Sequence, residues 1–246
     1  MNTFKAVIAY DGRFYEGFQR QPNKMTIQGV LEKELSQLLG QKTLIHGAGR
    51  TDSGVSARGQ VVSFKTGTKI QDLEKFRYAW NRLLPRSLVC TSLEEKENSF
   101  DARHSAIGKI YSYSFCYKQR DPLNAFESPL AVGSFDYGLF EKAIRLYEGK
   151  HDFKNFTTKK EDKDSFIRDV HIEDIHNDDG HVRVLLSSNG FMTYMVRILV
   201  GVAIKAGTRK FTLKTIEDSL HTKERKILSF KADPAGLILE EVLYEK

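Results

Sequence analysis

Hydrophobic and polar residues alternate along several segments of the chain, and elsewhere apolar residues recur every three or four positions. The clearest alternation covers residues 110–117, where aromatic side chains are separated by serine and cysteine. Because strand side chains point to opposite faces in turn, a period of two predicts a β-strand, whereas a period near 3.6 predicts a helix. Strands are predicted at residues 4–10, 43–46, 60–64, 88–93, 110–117, 167–175, 182–186 and 237–244. Helices are predicted at residues 27–39, 72–84, 136–149, 191–206 and 212–220.

Residues with strong capping and turn preferences mark the ends of these elements. Thr26 precedes the first helix as an N-cap, and Gly40 follows it where a C-terminal glycine is expected. Asp72 opens the second helix and Pro85 ends it. The polar run at residues 177–180 predicts a turn between two strands. The buried face of the third helix is predicted to contain Leu139, Ala143, Ile144 and Tyr147.

The order of these elements predicts an α+β fold. Strands and helices mix in both halves, and neighbouring strands resemble hairpins, which favours a mixed, largely antiparallel sheet over a doubly wound parallel one. We expect two α/β subdomains, residues 1–100 and 101–246, that share this sheet with a central cleft between them. No linker rich in proline or glycine separates the halves.

Composition and charge narrow the class of protein. Hydrophobic residues make up 40% of the 246 residues and charged residues 28%, which excludes disordered and fibrous chains. The 38 Lys and Arg against 32 Asp and Glu leave a net charge of +6, which favours an anionic partner such as a nucleic acid. Cys90 and Cys116 are too few for a disulfide framework and lack zinc-type spacing, so we expect buried free thiols in a reducing cytosol.

The apolar segments argue against a membrane protein. The longest one, residues 195–206, is interrupted by Arg197, Gly201 and Lys205 and falls well short of the ~20 residues of a spanning helix. The N-terminal segment 4–10 has the pattern of a strand rather than of a signal peptide. We therefore expect a cytoplasmic protein with no membrane partner.

Familiar cofactor and metal motifs are absent from the sequence. It contains no phosphate-binding loop, no dinucleotide-binding GxGxxG, no HExxH and no deaminase-type HxE with PCxxC. His171 and His176 flank two acidic residues, but their odd spacing would place them on opposite faces of a strand. A solvated strand edge is predicted there rather than a metal site.

The segment at residues 47–54, GAGRTDSG, is the strongest candidate for chemistry. It lies between two predicted strands, and its glycines allow a tight loop that projects Asp52 into a cleft. Asp52 is either a functional carboxylate or a residue that caps the turn through its own side chain. An aspartic-protease site is excluded because only one Asp-Ser-Gly triplet is present, and because Arg50 favours the ionised carboxylate.

Several motifs together resemble the signature of the tRNA pseudouridine synthase A family. The loop carries the Gly-Arg-Thr-Asp core, and the other blocks follow in the family's order from end to end, which makes the match highly specific. These blocks are YDG (10–12), GFQRQ (17–21), TIQGVLE (26–32), FDAR (100–103), SA (105–106), KIYSY (109–113), HDF (151–153), FM (191–192), MVR (195–197), VG (200–201) and AGL (235–237).

The resemblance implies a pseudouridine-synthase-like fold and the isomerisation of uridine to pseudouridine in the anticodon stem-loop of tRNAs, at positions 38, 39 and 40. Such enzymes cleave the N-glycosidic bond, turn the base and rejoin it through carbon 5, with no cofactor or metal. By the same resemblance, Asp52 is the catalytic carboxylate and Arg197 pairs with it. Arg50 fills the gap left by the extruded base, Tyr111 packs on the uracil, and Leu237 lines the pocket. The family's enzymes are homodimers.

Alternatives stay open at this point. Tyr111 stands among four alternating aromatic residues and Leu237 in an apolar strand, so both also fit plain core packing. A paralogue acting on another RNA and a non-catalytic tRNA-binding protein are the competing functions, and the set of Asp52, Tyr111 and Arg197 argues against the second. Four positions depart from the residues usual in the family and leave the substrate set open: Phe18, Ser53, Ser56 and Ile198.

Overall fold

The computed structural model describes residues 1–119, 121–130, 133–159 and 165–245. Strands and helices alternate in the mixed order expected of an α+β fold, which confirms the predicted class. Along the chain the elements are β1 (Asn2–Tyr10), α1 (Ile27–Leu39), β2 (Ile45–Gly47), β3 (Ser56–Thr66), α2 (Leu73–Leu83), β4 (Leu88–Lys96), β5 (Ala106–Cys116), β6 (Ser128–Pro129), α3 (Tyr137–Arg145), β7 (Gly149–Asp152), β8 (Ile167–Asp178), β9 (His181–Ser188), α4 (Met195–Gly207), α5 (Leu213–His221) and β10 (Leu237–Tyr244).

Two compact units make up the chain: Met1–Ile107 with Ile238–Lys246, and Gly108–Leu237. The division expected from the sequence, at residue 100, assigns the last strand to the C-terminal half. In the structure β10 pairs in parallel with β3, with Ile238 opposite Ser56. This pairing joins residues far apart along the chain, and it places the last strand with the first unit.

The first unit is built on strands in the order β4-β1-β3-β10, with β2 also paired to β3. β1 is antiparallel to both β3 and β4. The predicted caps of α1 are confirmed: the Thr26 hydroxyl accepts the Gly29 N–H (3.3 Å), and Gly40 adopts a left-handed φ of 65°. A core of aromatic rings covers this sheet, with Phe64 stacked on Phe4 and edge-on to Trp80.

The second unit is built on strands in the order β5-β9-β8-β7, all antiparallel, with β6 parallel to β5. The predicted turn between β8 and β9 is confirmed. Asp179 and Gly180 have φ angles of 45° and 94°, the left-handed pair of the two-residue hairpin turns that match strand twist.

The predictions for two helices in this unit are wrong in detail. The fourth helix begins at Met195 and not near residue 191, because Tyr194 has a left-handed φ of 60° and therefore lies outside the helix. On α3 the predicted Ala143 and Ile144 are fully buried, but Phe140 is buried with them in place of Leu139, which is only half-buried. The predicted face is thus confirmed except at this position, and the helix ends at Arg145 rather than at residue 149.

The prediction for His171 and His176 is right about exposure and wrong about direction. Both side chains are exposed on β8. An irregularity in register between Ile172 and Asp174 makes the partners of the two histidines Ser187 and Arg183, which are an even number of residues apart on β9. The bulge therefore brings both histidines to one face of the strand pair, because one extra residue reverses the alternation.

Cys90 and Cys116 are free and buried, as predicted. In the part of the chain that the structure describes, the helices are all too short or too polar to cross a membrane.

Candidate active site

The loop between β2 and β3 carries Asp52 and is held by backbone hydrogen bonds, one from the N-terminal segment and one within the loop. The Phe18 N–H donates to the carbonyl oxygen of Thr51 (3.0 Å), and the Val55 N–H donates to that of Asp52 (3.1 Å). Gly54 takes a left-handed φ of 80°, which closes the turn after the aspartate. The predicted tight loop between two strands is confirmed.

Two glycines let the N-terminal segment lie directly against this loop. A Cβ added to Gly12 would lie 1.9 Å from the carbonyl oxygen of Val55. Gly17 has a left-handed φ of 86°, and its added Cβ would lie 3.1 Å from the carbonyl oxygen of Thr51. The YDG and GFQRQ blocks thus form the support on which the Asp52 loop rests.

Arg50 and Asp52 differ in their exposure. Arg50 is exposed, and Asp52 is half-buried. A half-buried carboxylate on a fixed loop can approach a reacting atom in one orientation, and an exposed cation close to it in sequence can contact an anionic ligand.

Three of the four departures from the family pattern have structural contacts in this region. The Gly12 N–H donates to the Ser56 hydroxyl (3.0 Å), and the Ser53 hydroxyl donates to the carbonyl oxygen of Tyr15 (3.3 Å). Phe18 is buried. These side chains hold the loop against the N-terminal segment.

Tyr111 lies on β5 in the second unit. Tyr113 and Phe115 on the same strand face are fully buried, and Tyr111 is 6% exposed. The Tyr111 ring meets the ring of Phe191 edge to face, with centroids 5.3 Å apart. Tyr111 is thus buried like a core residue. It also contacts Phe191, which belongs to another of the sequence blocks that resemble the family.

Arg197 lies in the first turn of α4 and is half-buried. Its Nε donates to the carbonyl oxygen of Ala232 (2.8 Å), and the Ala232 N–H donates back to the carbonyl oxygen of Arg197 (2.8 Å). The guanidinium carbon lies 5.5 Å from the centroid of the Tyr194 ring. These contacts fix the guanidinium plane. Ile198, the fourth departure, is fully buried on the same helix.

The segment before β10 places Leu237, which is 5% exposed. Asp233 caps a short 3-10 turn, and its carbonyl oxygen accepts the Tyr113 hydroxyl (3.0 Å). A Cβ added to Gly236 would lie 2.4 Å from the carbonyl oxygen of Ser114. This segment therefore packs tightly against β5, the strand that carries Tyr111, and its start also contacts Arg197.

The predicted site residues are distributed over both units. Arg50 and Asp52 belong to the first unit, on one loop. Tyr111, Arg197 and Leu237 belong to the second unit, where the segment before β10 contacts the elements that carry the other two.

Sequence reasoning missed one polar residue beside the loop. Gln60 is fully buried, and its amide donates to the carbonyl oxygen of Gly49 (3.1 Å). A glutamine at the start of an otherwise apolar strand segment was the signal available in the sequence.

The cysteines have no neighbours with metal-ligand spacing along the sequence, but Cys116 has possible ligand residues near it in space. In the structure Cys116, Glu127 and His181 offer ligand atoms within 4.8 Å of one another, the one such group among the described residues. Nδ1 of His181 lies 2.9 Å from a carboxylate oxygen of Glu127, and the Cys116 thiol donates to the carbonyl oxygen of Gln119 (3.2 Å). The contact between His181 and Glu127 and the thiol hydrogen bond account for the arrangement.

Comparison with known proteins identifies a family. A model described as tRNA pseudouridine synthase matches residues 6–105 and 143–245. Similar proteins named tRNA pseudouridine synthase A include those of Clostridium botulinum (strain Eklund 17B / Type B), 34% identical over 99% of this chain and 100% of the relative, and Thermoanaerobacter sp. (strain X514), 35% identical with the same coverage. The Streptococcus sanguinis (strain SK36) protein of that name is 34% identical over the whole of both chains.

A solved structure with a weaker likeness is a chain from a Cbf5-Nop10-Gar1 complex. It is 12% identical, with a TM-score of 0.33 over 81% of this chain and 54% of that chain. This likeness is too slight to indicate a common fold.

Proposed function

The chain belongs to the tRNA pseudouridine synthase family, and on that premise we propose that it isomerises uridine to pseudouridine at positions 38, 39 and 40 in the anticodon stem-loop of tRNAs. The reaction breaks the bond between N1 of uracil and C1′ of the ribose and forms a bond between C5 and C1′. The proton on C5 is lost and N1 gains one, so the overall change is an isomerisation.

Asp52 is the proposed catalytic carboxylate. It acts at the sugar's anomeric carbon, where positive charge develops as the glycosidic bond breaks. Its position on a loop fixed by the Phe18 and Val55 amides supports this role, because a carboxylate that must meet one carbon atom benefits from a fixed backbone.

Arg50 and Arg197 carry the proposed cationic roles. The target base must leave its stack before it can react, and the exposed Arg50 side chain is suited to fill the gap and contact phosphate. Arg197 is proposed to pair with Asp52 and keep the carboxylate ionised. The bond from its Nε to Ala232 supports this role, since it holds the guanidinium in one orientation.

Tyr111 and Leu237 are proposed to hold the uracil ring. Both side chains are buried. They extend from neighbouring stretches of backbone, because the segment before β10 packs on β5. An aromatic face is a suitable stacking partner for a base that has left the helix. The family match together with Asp52 on its anchored loop is the observation that carries the proposal.

A pseudouridine map of tRNAs treated with the purified protein tests this function. We expect modification at positions 38, 39 and 40 of more than one tRNA, with no single flanking sequence required. Asp52→Asn should abolish it while leaving tRNA affinity within about threefold, because the carboxylate acts on the sugar and not on the RNA backbone.

Other outcomes of this map would contradict the proposal. Modification only outside the anticodon arm would favour a paralogue acting on another RNA site. Tight tRNA binding by the wild-type protein without any pseudouridine would indicate a non-catalytic binding protein, and wild-type turnover by Asp52→Asn would remove Asp52 from the chemistry.

Assembly and location follow as parts of the same proposal. We place the enzyme in the cytoplasm as a homodimer that binds tRNA. The net charge of +6 per chain is small for one protomer that must hold a whole tRNA, and pairing doubles it.

A further inference from the structure

Three polar side chains form a buried hydrogen-bond chain beneath the Asp52 loop. The Tyr10 hydroxyl on β1 lies 2.8 Å from the Thr51 hydroxyl. The Gln60 amide on β3 donates to the Tyr10 oxygen (3.4 Å) and to the carbonyl oxygen of Gly49 (3.1 Å). Tyr10 is 5% exposed, Thr51 7% and Gln60 0%.

This chain of bonds holds the loop on both sides of Arg50. Gly49 is held through its carbonyl oxygen, and Thr51 through its hydroxyl. The main chain of Thr51 is also held, because its carbonyl oxygen accepts the Phe18 N–H. Arg50 and Asp52 therefore extend from backbone that is fixed immediately beside them.

Apolar residues could fill this part of the core without needing hydrogen-bond partners. A buried polar group destabilises the fold if it loses its hydrogen-bond partner, whereas a phenylalanine or leucine needs none. Tyr10 and Gln60 instead fix the position of the loop residues that they contact, since hydrogen bonds hold their partners at a set distance and angle.

The protonation of Tyr10 is constant. Burial raises the pKa of the Tyr10 phenol to about 12, and its hydrogen bonds to Thr51 and Gln60 offset only part of that rise. The phenol therefore keeps its proton, and it shares a hydrogen bond with the Thr51 hydroxyl in which either oxygen can donate. The contact with the loop is therefore present throughout the pH range in which proteins act on RNA.

We infer that Tyr10 is a positioning residue for the reaction: its hydroxyl, oriented by Gln60, fixes Thr51 and so sets the direction in which Asp52 reaches the sugar. The inference rests on the proposed role of Asp52. It concerns a residue that lies beneath the loop and acts on the reaction only through its contact with Thr51.

Tyr10→Phe removes one oxygen atom and leaves the ring. We expect the single-turnover rate of pseudouridine formation to fall by about tenfold or more, with tRNA affinity within about threefold, because misplacement of a reacting group slows chemistry more than binding. We also expect faster hydrogen–deuterium exchange in the peptide covering residues 47–55.

Tyr15→Phe is the matched control. Tyr15 is a buried tyrosine of the same unit, and its hydroxyl lies 2.7 Å from the Ser87 hydroxyl instead of from the loop. We expect it to lose a similar amount of stability in thermal unfolding and to keep the wild-type rate and loop exchange.

A double-variant cycle separates positioning from general damage. Thr51→Ser keeps the hydroxyl and should stay near the wild-type rate, whereas Thr51→Val removes it and should match Tyr10→Phe. Tyr10→Phe and Thr51→Val both break the hydrogen bond between Tyr10 and Thr51. Combining them should therefore reduce the rate no further than the more damaging of the two single substitutions.

The outcomes separate this inference from the proposed function. A Tyr10→Phe rate within about twofold of wild type, while Asp52→Asn is inactive, would overturn the inference. So would loop exchange equal to that of the wild type. If the wild-type protein forms no pseudouridine in tRNA, the proposed function fails, and the exchange of the 47–55 peptide alone then decides whether Tyr10 holds the loop.

Discussion

Arg197 is the charged residue whose environment bears most directly on the proposed chemistry. It is one of two basic residues in a helix that is otherwise almost wholly apolar and buried. Its Nε bond to Ala232 and its contact with the Tyr194 ring give it one orientation, whereas an unconstrained arginine would sample many.

Arg197→Met tests this residue, because methionine keeps an unbranched apolar stem and removes the charge. We expect activity to be lost and the free energy of unfolding to fall by about 1–2 kcal/mol, since the hydrogen bond to Ala232 and the cation–π contact disappear. Chemical denaturation and single-turnover kinetics measure the two effects.

Lys205→Met is the control on the same helix. Lys205 is also half-buried and lies 5.3 Å from the Phe230 ring, so its loss removes a comparable contact away from Arg197. We expect a similar or smaller loss of stability and unchanged turnover. A fully active Arg197→Met would show that the guanidinium takes no part in the reaction.

The segment before β10 shows how an element can depend on the absence of one side chain. Gly236 lies so close to β5 that an added Cβ would be 2.4 Å from the Ser114 carbonyl oxygen and 2.9 Å from the Tyr113 ring. Backbone on one side and a fully buried ring on the other cannot both move away. Leu237 follows directly, so any shift at Gly236 also shifts Leu237.

Gly236→Ala should therefore disturb both stability and activity. We expect the free energy of unfolding to fall by about 1–3 kcal/mol, as for other overpacked core sites, together with a lower kcat/KM for tRNA. Gly138→Ala on α3 is the contrasting change, because the added Cβ would meet only the Asp136 carboxylate at 3.5 Å. That change should be neutral or stabilising, because alanine favours the helix. Equal effects of the two variants would contradict the packing argument.

Assembly and charge are properties of the whole molecule. The proposed homodimer should have twice the 28.1 kDa mass of one chain in light scattering. Its affinity for tRNA should fall at least about tenfold as salt rises from about 50 to about 200 mM, because cations that neutralise phosphates release counterions. A monomer that binds and modifies tRNA normally would refute the dimer, and salt-independent binding would refute the electrostatic contribution.

Local interactions explain what the sequence alone determined. The caps at Thr26 and Gly40 and the turn at Asp179 and Gly180 depend on residues that act on backbone a few positions away, so the sequence predicts them. The Asp52 loop was predictable for the same reason, since its glycines and the strands that flank it are contiguous. The fold class follows from the order of the elements that these signals delimit.

Contacts between distant residues explain what only the tertiary structure decided. Periodicity did not reveal the left-handed conformation of Tyr194, after which α4 begins. It also did not reveal the bulge that brings His171 and His176 to one face. Nor was the pairing of β10 with β3, which joins the last strand to the first unit. The buried link from Gln60 through Tyr10 to the loop likewise arises where separate strands meet, and such contacts leave no spacing that a sequence pattern can reveal.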